Sequence, residues 1–176
     1  REVALVSCDS RDVIPGTLFI CKGAHFKPEF LQSAKEKGAF VYLSEKKYDQ
    51  VDLPCIQVSD VRLAMAYLAD FYYNHPSAKL AAKKQAPSGV IGGIETYDGV
   101  EKFESHLTTP EPLELERHFA NAVSSGIRYL SMEVSSQALK YDRVKNVEFA
   151  AAVFLNIGMD HISPIEHPDF EDYFAS

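Results

Sequence analysis

ESHLTTPEPLELERHFANAVSSGIRYLSMEVSSQALKYDR, residues Glu104 to Arg143, is the stretch whose reading decides the fold. Pro112 to Ser125 has helical spacing, and the apolar run Tyr129 to Val134 that follows reads as a strand ending in Glu-Val-Ser-Ser. Thr108 and Thr109 therefore stand before a helix, while Glu133 stands at a strand end. Hydroxyls, backbone donors and a carboxylate gathered at one edge of a parallel sheet suit a phosphorylated ligand and its metal.

The surrounding sequence extends this rhythm. Gly89 to Ile94 reads as the preceding strand, and Ala150 to Ile157, AAAVFLNI, reads as the next. A nearly continuous apolar run of that kind fits a parallel strand covered on both faces. Glu111, Glu114 and Glu116 lie near the helix N-terminus, where the macrodipole favours acids. Toward the start of the chain, Val3 to Val6, Leu18 to Ile20, Phe40 to Leu43 and Cys55 to Val58 read as strands. They alternate with helices over Pro28 to Lys37, closed by Gly38, and Val61 to Tyr73, capped by Asp60. His75-Pro76-Ser77 breaks the second helix, so the expected organisation is an N-terminal α/β domain over residues 1–80 and a second α/β domain over 81–176.

Composition narrows the function. With 46% hydrophobic and 24% charged residues, the 176-residue chain reads as globular. A net charge of -7 argues against a nucleic-acid partner, which requires a basic surface. No apolar run approaches the ~20 residues of a membrane span, and Arg1-Glu2 does not open a secretory leader. Cys8, Cys21 and Cys55 are odd in number and widely spaced, as expected of reduced thiols in the cytoplasm.

Further motifs carry chemistry. Asp9-Ser10-Arg11 is followed by Pro15-Gly16, a short strand, and Lys22-Gly23-Ala24-His25-Phe26. A loop of this composition offers a flat base an aromatic wall and a few directional hydrogen bonds; the plainer alternative is a turn at Asp9 and a core Phe26. Arg143 suits a carboxylate or phosphate because its guanidinium binds in a fork, or it forms a surface ion pair with Asp142 or Glu148. Asn156-Ile157-Gly158-Met159-Asp160-His161 follows the last apolar run, so His161 is expected at the same sheet edge as Glu133. His167 is a weaker functional candidate than His161, the plainer alternative being a boundary residue before a helix opened by Pro168 and Asp169. Gly89, Gly92 and Gly93 are not followed by Lys-[ST] and do not form a phosphate loop, and Lys83-Lys84 reads as a solvated linker pair.

Taken together, D-S-R, H-L-T-T-P, E-V-S-S and the N-x-x-x-D-H string resemble the Mur ligase family of peptidoglycan synthesis over almost the whole chain. The resemblance implies a small UDP-binding α/β domain followed by part of a parallel-sheet ATPase domain. It assigns Ser10, Ala24, His25 and Phe26 to the uridine, and Thr108, Thr109, Ser135 and Arg143 to the rest of the UDP-N-acetylmuramoyl-dipeptide. It places Asn156 near the nucleotide, and Glu133 and His161 at a catalytic Mg2+. In the intact family enzyme ATP phosphorylates the substrate carboxyl and the amine of lysine or diaminopimelate attacks the acyl phosphate. Those two amino acids are not distinguished by this sequence.

The chain also departs from the family pattern. No G-x-x-x-x-G-K-[ST] loop occurs, and Leu80 passes through AAKKQAPS directly into the next family strand. A backbone cradle, a lysine and a magnesium-binding hydroxyl are thereby missing. The family would also continue beyond Ser176. The expectation is an inactive fragment of the ligase, or alternatively a non-catalytic UDP-sugar-binding module.

Overall fold

Short apolar runs in the first sixty residues fold as a parallel sheet. In the computed structural model, which describes residues 2–23, 26–77, 87–159, 161–164 and 166–176, β1 (Leu5–Ser7), β2 (Thr17–Ile20), β3 (Ala39–Ser44) and β4 (Cys55–Gln57) pair in sequence order, all parallel. Helix α1 (Pro28–Glu36) follows β2 and α2 (Val61–Tyr72) follows β4. Phe19, Leu31, Ala34 and Tyr42 are fully buried together, so Leu31 and Ala34 supply the helical half of this core.

The helix ends obey local chemistry. Pro28 opens α1, where a missing N–H costs nothing. Gly38 closes it at φ +105°, and a Cβ there would lie 2.8 Å from Pro15 Cα, so both conformation and space demand glycine. Asp60 Oδ1 accepts the N–H groups of Arg62 (2.9 Å) and Leu63 (3.0 Å), capping α2 as expected. Asn74 and His75 then adopt positive φ, ending that helix.

Contacts divide the backbone into two units, Arg1–Tyr72 and Tyr73–Ser176. The second contains β5 (Ser88–Ile91), β6 (Glu95–Tyr97), β7 (Lys102–Glu104), α3 (Pro112–Ser124), β8 (Tyr129–Met132), α4 (Ser136–Lys140) and α5 (Phe170–Ala175). Its sheet order is β7-β6-β5-β8, parallel only between β5 and β8. The sheet is thus mixed, where the sequence predicts parallel strands throughout. Gly92 and Gly93 form the turn from β5 into β6, and the Gly92 N–H donates to the Glu95 carbonyl (3.2 Å). They lead into a hairpin rather than a helix, in agreement with their rejection as a phosphate loop.

One predicted strand is not formed. Ala150 to Ile157 belongs to no helix or strand, and Val153, Phe154 and Leu155 are 81%, 78% and 85% exposed. Its apolar composition is that of a buried parallel strand, but a strand exists only where a neighbour pairs its backbone groups. The junction Ala81 to Ser88 falls largely outside the described residues.

A buried charged cluster fixes the β6–β7 hairpin to α3. Asp98 is fully buried; its Oδ1 accepts the Val100 (2.9 Å) and Glu101 (2.7 Å) N–H groups, and its Oδ2 accepts from Asn121 (2.8 Å) and lies 2.7 Å from His118 Nδ1. Next to it, Gly99 has φ +87°, and a Cβ there would come within 2.1 Å of Ser125 Oγ. Burial alone would push the His118 pKa down, but the Glu114 and Asp98 carboxylates outweigh it and hold the group above the usual histidine value. Burial likewise pushes Asp98 up, and the Glu101 N–H together with His118 and Asn121 brings it below the usual carboxylate value.

The pH dependence follows from these directions. A histidine whose folded pKa is raised contributes stability that is full below its unfolded value, about 6.5, and is lost as pH rises through the folded value. Urea denaturation of the second unit should therefore show stability falling as pH rises from about 6.5 through the mildly alkaline range. His118→Gln should remove that slope and cost about 3–5 kcal/mol by leaving Asp98 buried without its cation. A slope unchanged in the variant would show that another group sets it.

Candidate functional site

Residues far apart in sequence meet at the carboxyl end of β8. Thr109 is fully buried; its Oγ1 donates to the Glu133 carbonyl (2.9 Å) and accepts the Ser135 N–H (3.0 Å). Ser135 in turn caps α4, its Oγ accepting the Ala138 N–H (3.2 Å). Arg143 is 12% exposed; its Nη1 donates to the Thr109 carbonyl (3.1 Å) and its Nη2 pairs with Glu111 Oε1 (3.1 Å). Arg143 Nε is buried without a hydrogen-bond partner among the described residues. The sequence proposed Asp142 or Glu148 as ion-pair partners; the structure instead supplies Glu111 from the entrance to α3.

Glu133 projects from this scaffold. Its Oε2 accepts the Gly93 N–H at 3.2 Å. A Cβ on Gly93 would lie 3.3 Å from Thr108 Oγ1 and 3.6 Å from Glu133 Oε2, so Thr108 and Glu133 border the same small space. The two threonines therefore differ in kind. Thr109 is consumed by backbone partners, while Thr108 is only partly buried and faces the side where the Glu133 carboxylate emerges. Neither hydroxyl caps α3, whose N-cap Glu111 makes no side-chain cap bond.

His161 keeps different company. Its Nδ1 lies 3.1 Å from Glu166 Oε1 and its ring packs on Tyr173 at 5.8 Å. Ala150 to Ile157, the run that precedes His161, is not a strand, and Asn156 lies in that exposed run. Glu133 offers a hard carboxylate oxygen of the kind magnesium takes, whereas His161 has its Nδ1 against Glu166.

In the N-terminal unit, Phe26 packs against Tyr48 (5.4 Å between ring centres) and the core, and it also lines a cavity of about 620 Å³. Gly23, Ser44, Lys46 and Arg62 share this cavity, which opens at the carboxyl ends of β2 and β3. Ser10 is placed otherwise, its carbonyl accepting from Lys37 Nζ (2.8 Å) within the turn formed around Asp9. Arg11 pairs with Asp9, and those hydrogen bonds lower the Asp9 pKa to about 2. Ala24 and His25 lie outside the described residues. Cys21, at the cavity floor, is driven up to about 12 by burial and the nearby Cys55, so its thiol stays protonated.

A linkage the sequence reading passed over ties α4 to the last helix. His167 is fully buried, its Nε2 2.8 Å from Ser136 Oγ and its Nδ1 2.6 Å from Asp172 Oδ2. The same Asp172 oxygen accepts from Lys140 Nζ (2.5 Å), which with His167 lowers the Asp172 pKa. His167 is thus a structural centre rather than a helix-boundary residue.

Residues 76–176 match the Mur ligase middle domain. The chain is 46% identical to a UDP-N-acetylmuramoyl-L-alanyl-D-glutamate--L-lysine ligase of Streptococcus thermophilus, over 96% of this chain and 39% of that protein. It is 42% identical to the ligase of the same name from Enterococcus faecalis, over 99% of this chain and 39% of that one. A solved UDP-N-acetylmuramoyl-L-alanyl-D-glutamate--2,6-diaminopimelate ligase has the same fold, with a TM-score of 0.70 and 23% identity over 96% of this chain and 38% of its own. The chain belongs to the Mur ligase family. It spans about 39% of the length of the curated relatives it matches. The Streptococcus alignment runs over 190 positions, more than the 176 residues present, so the relative holds residues without a counterpart here.

The division of labour between the threonines is measurable. Thr109→Val should destabilise the second unit by about 1–3 kcal/mol, because the Ser135 N–H and Glu133 carbonyl lose their partner. Thr108→Val should stay within about 0.5 kcal/mol of the parent. Urea denaturation of both variants checks this, and equal losses would show that the hydroxyls share one structural role.

Proposed function

We propose that this chain carries the UDP-sugar side of a ligase that adds lysine to UDP-N-acetylmuramoyl-L-alanyl-D-glutamate in peptidoglycan synthesis. The support is 42–46% identity to ligases of that name across 96–99% of the chain. The relatives' names favour lysine over diaminopimelate. A nucleotide-linked substrate and ATP place the reaction in the cytoplasm, and among the described residues no helix is long and apolar enough to cross a membrane.

In this reading the cavity beside Phe26 takes the uridine, with Phe26 and Tyr48 as its apolar wall and Lys46 and Arg62 offsetting substrate charge. Thr108 donates to the diphosphate and sugar side, while Thr109, Ser135 and Arg143 hold the loop that presents it. Glu133 supplies an oxygen toward the Mg2+ that accompanies ATP in the intact family enzyme.

Ligation itself is a different matter. Phosphoryl transfer depends on positioning and charge stabilisation, and the sequence holds no phosphate loop with its lysine and hydroxyl. The chain is accordingly a substrate-binding part without turnover.

Two measurements separate binding from catalysis. Amide shifts on titration with UDP-N-acetylmuramoyl-dipeptide should concentrate at Gly23, Phe26 and Lys46; saturation without movement there would remove the uridine assignment. ADP formation dependent on that substrate and lysine should be absent, and robust turnover beside a full-length control would disprove the claim that the chain lacks catalysis.

A further inference from the structure

Helix α4 is too short to hold itself. It has five residues, of which Ala138 alone is buried, so neither helix cooperativity nor apolar packing fixes it. Yet both tethers of Thr109 start from it. Ser135, its N-cap, gives the N–H that Thr109 Oγ1 accepts. Arg143, whose own N–H donates to the Ala138 carbonyl (2.9 Å), reaches the Thr109 carbonyl. Where α4 lies therefore decides where the Thr108-Thr109 loop lies.

What holds α4 is polar, and it comes from α5 and the turn before it. At the first residue of α4, Ser136 Oγ lies 2.8 Å from His167 Nε2. At the last, Lys140 Nζ donates to the Glu166 carbonyl (3.2 Å) and to Asp172 Oδ2 (2.5 Å). The same Asp172 oxygen lies 2.6 Å from His167 Nδ1, so one carboxylate joins both ends of the helix. An ionised carboxylate only accepts, so Nδ1 carries the ring hydrogen, and Nε2 of the neutral imidazole then accepts the Ser136 hydroxyl. His167 has no freedom to turn away. It is fully buried, its N–H donates to the His161 carbonyl (3.2 Å), its carbonyl accepts from the Ser163 N–H (2.9 Å), and Tyr173 packs on its ring at 5.1 Å.

We propose that His167 is a positioning residue for the substrate site: by holding Ser136 it sets Ser135 and Arg143, and through them Thr108. This rests on the reading of Thr108 as the donor to the diphosphate and sugar side. The order Ser136, His167, Asp172 is also that of a hydrolase relay. An imidazole with no exposed surface has no room to pass a proton to a leaving group, so orientation of the helix is the task left to it.

The test measures the affinity of the 176-residue chain for UDP-N-acetylmuramoyl-dipeptide and for UMP by calorimetry, together with hydrogen exchange of the ligand-free chain. Ser136→Ala, which leaves His167 and Asp172 paired, should weaken binding of the dipeptide nucleotide about 3–30-fold, leave UMP binding unchanged and speed exchange in 134–143. His167→Gln, whose amide oxygen replaces Nε2 as acceptor, should lose less than about threefold. His167→Asn, which keeps only the contact with Asp172, should lose as much as Ser136→Ala. A role in stability alone would not sort the two amides in this way. Ser136→Ala binding as tightly as the parent, equal losses in the two amide variants, or UMP affinity falling in step would each overturn this proposal alone. A parent chain that does not bind UDP-N-acetylmuramoyl-dipeptide would overturn the UDP-sugar reading, and this proposal with it.

Discussion

The hydroxyl of Thr109 is the constraint on which the candidate site depends. It spans the Glu133 carbonyl and the Ser135 N–H, and Arg143 grips the Thr109 carbonyl from the other side. These bonds fasten the loop before α3 to the end of β8, in a place where an unpaired backbone group would cost about 1–3 kcal/mol. They also explain why Thr108 and Glu133 face one small space although twenty-odd residues separate them in sequence. A loop held by backbone bonds can present an adjacent side chain with little freedom to lose on binding.

Charge plays two roles in the second unit. Asp98 and His118 are fully buried, and every donor around Asp98 is matched, so that cluster acts as an internal rivet between hairpin and helix. Asp98, Glu101 and His118 come close enough to hold a cation, but Arg117 pairs with Glu101 at the same place. A guanidinium already supplies the positive charge that a metal would bring. Glu133 is the contrasting case: exposed, bonded to one backbone donor, and retaining an oxygen for a ligand.

Legibility in the sequence followed the range of the forces involved. The first unit was readable almost strand for strand, because its apolar runs and caps are local signals; Gly38 and Asp60 act where their residue types predict. The β6–β7 hairpin was missed although Asp98-Gly99 between Tyr97 and Val100 is a hairpin turn signal, since its strands are only three residues each. The gathering of Thr108, Thr109, Glu133, Ser135 and Arg143 was legible as a motif, but which hydroxyl is structural was not. His167 gave no local sign of its role, because its partners Ser136 and Asp172 are fixed by tertiary packing. Lys46 and Arg62 were likewise invisible as cavity residues until β3 and α2 were folded beside Phe26.

The failure of Ala150–Ile157 as a strand has a quantitative side. Burying a Val, Leu or Phe contributes about 1.5–3 kcal/mol relative to leaving it exposed, so Val153, Phe154 and Leu155 together forgo roughly 5–9 kcal/mol of burial. A whole domain is stable by only about 5–15 kcal/mol. The first unit bears none of this loss, since its four strands are paired and Phe19, Leu31 and Tyr42 are fully buried. The second unit bears all of it while keeping Ile91, Leu115 and Phe119 in its core. Apolar composition specifies what a strand needs rather than what it has.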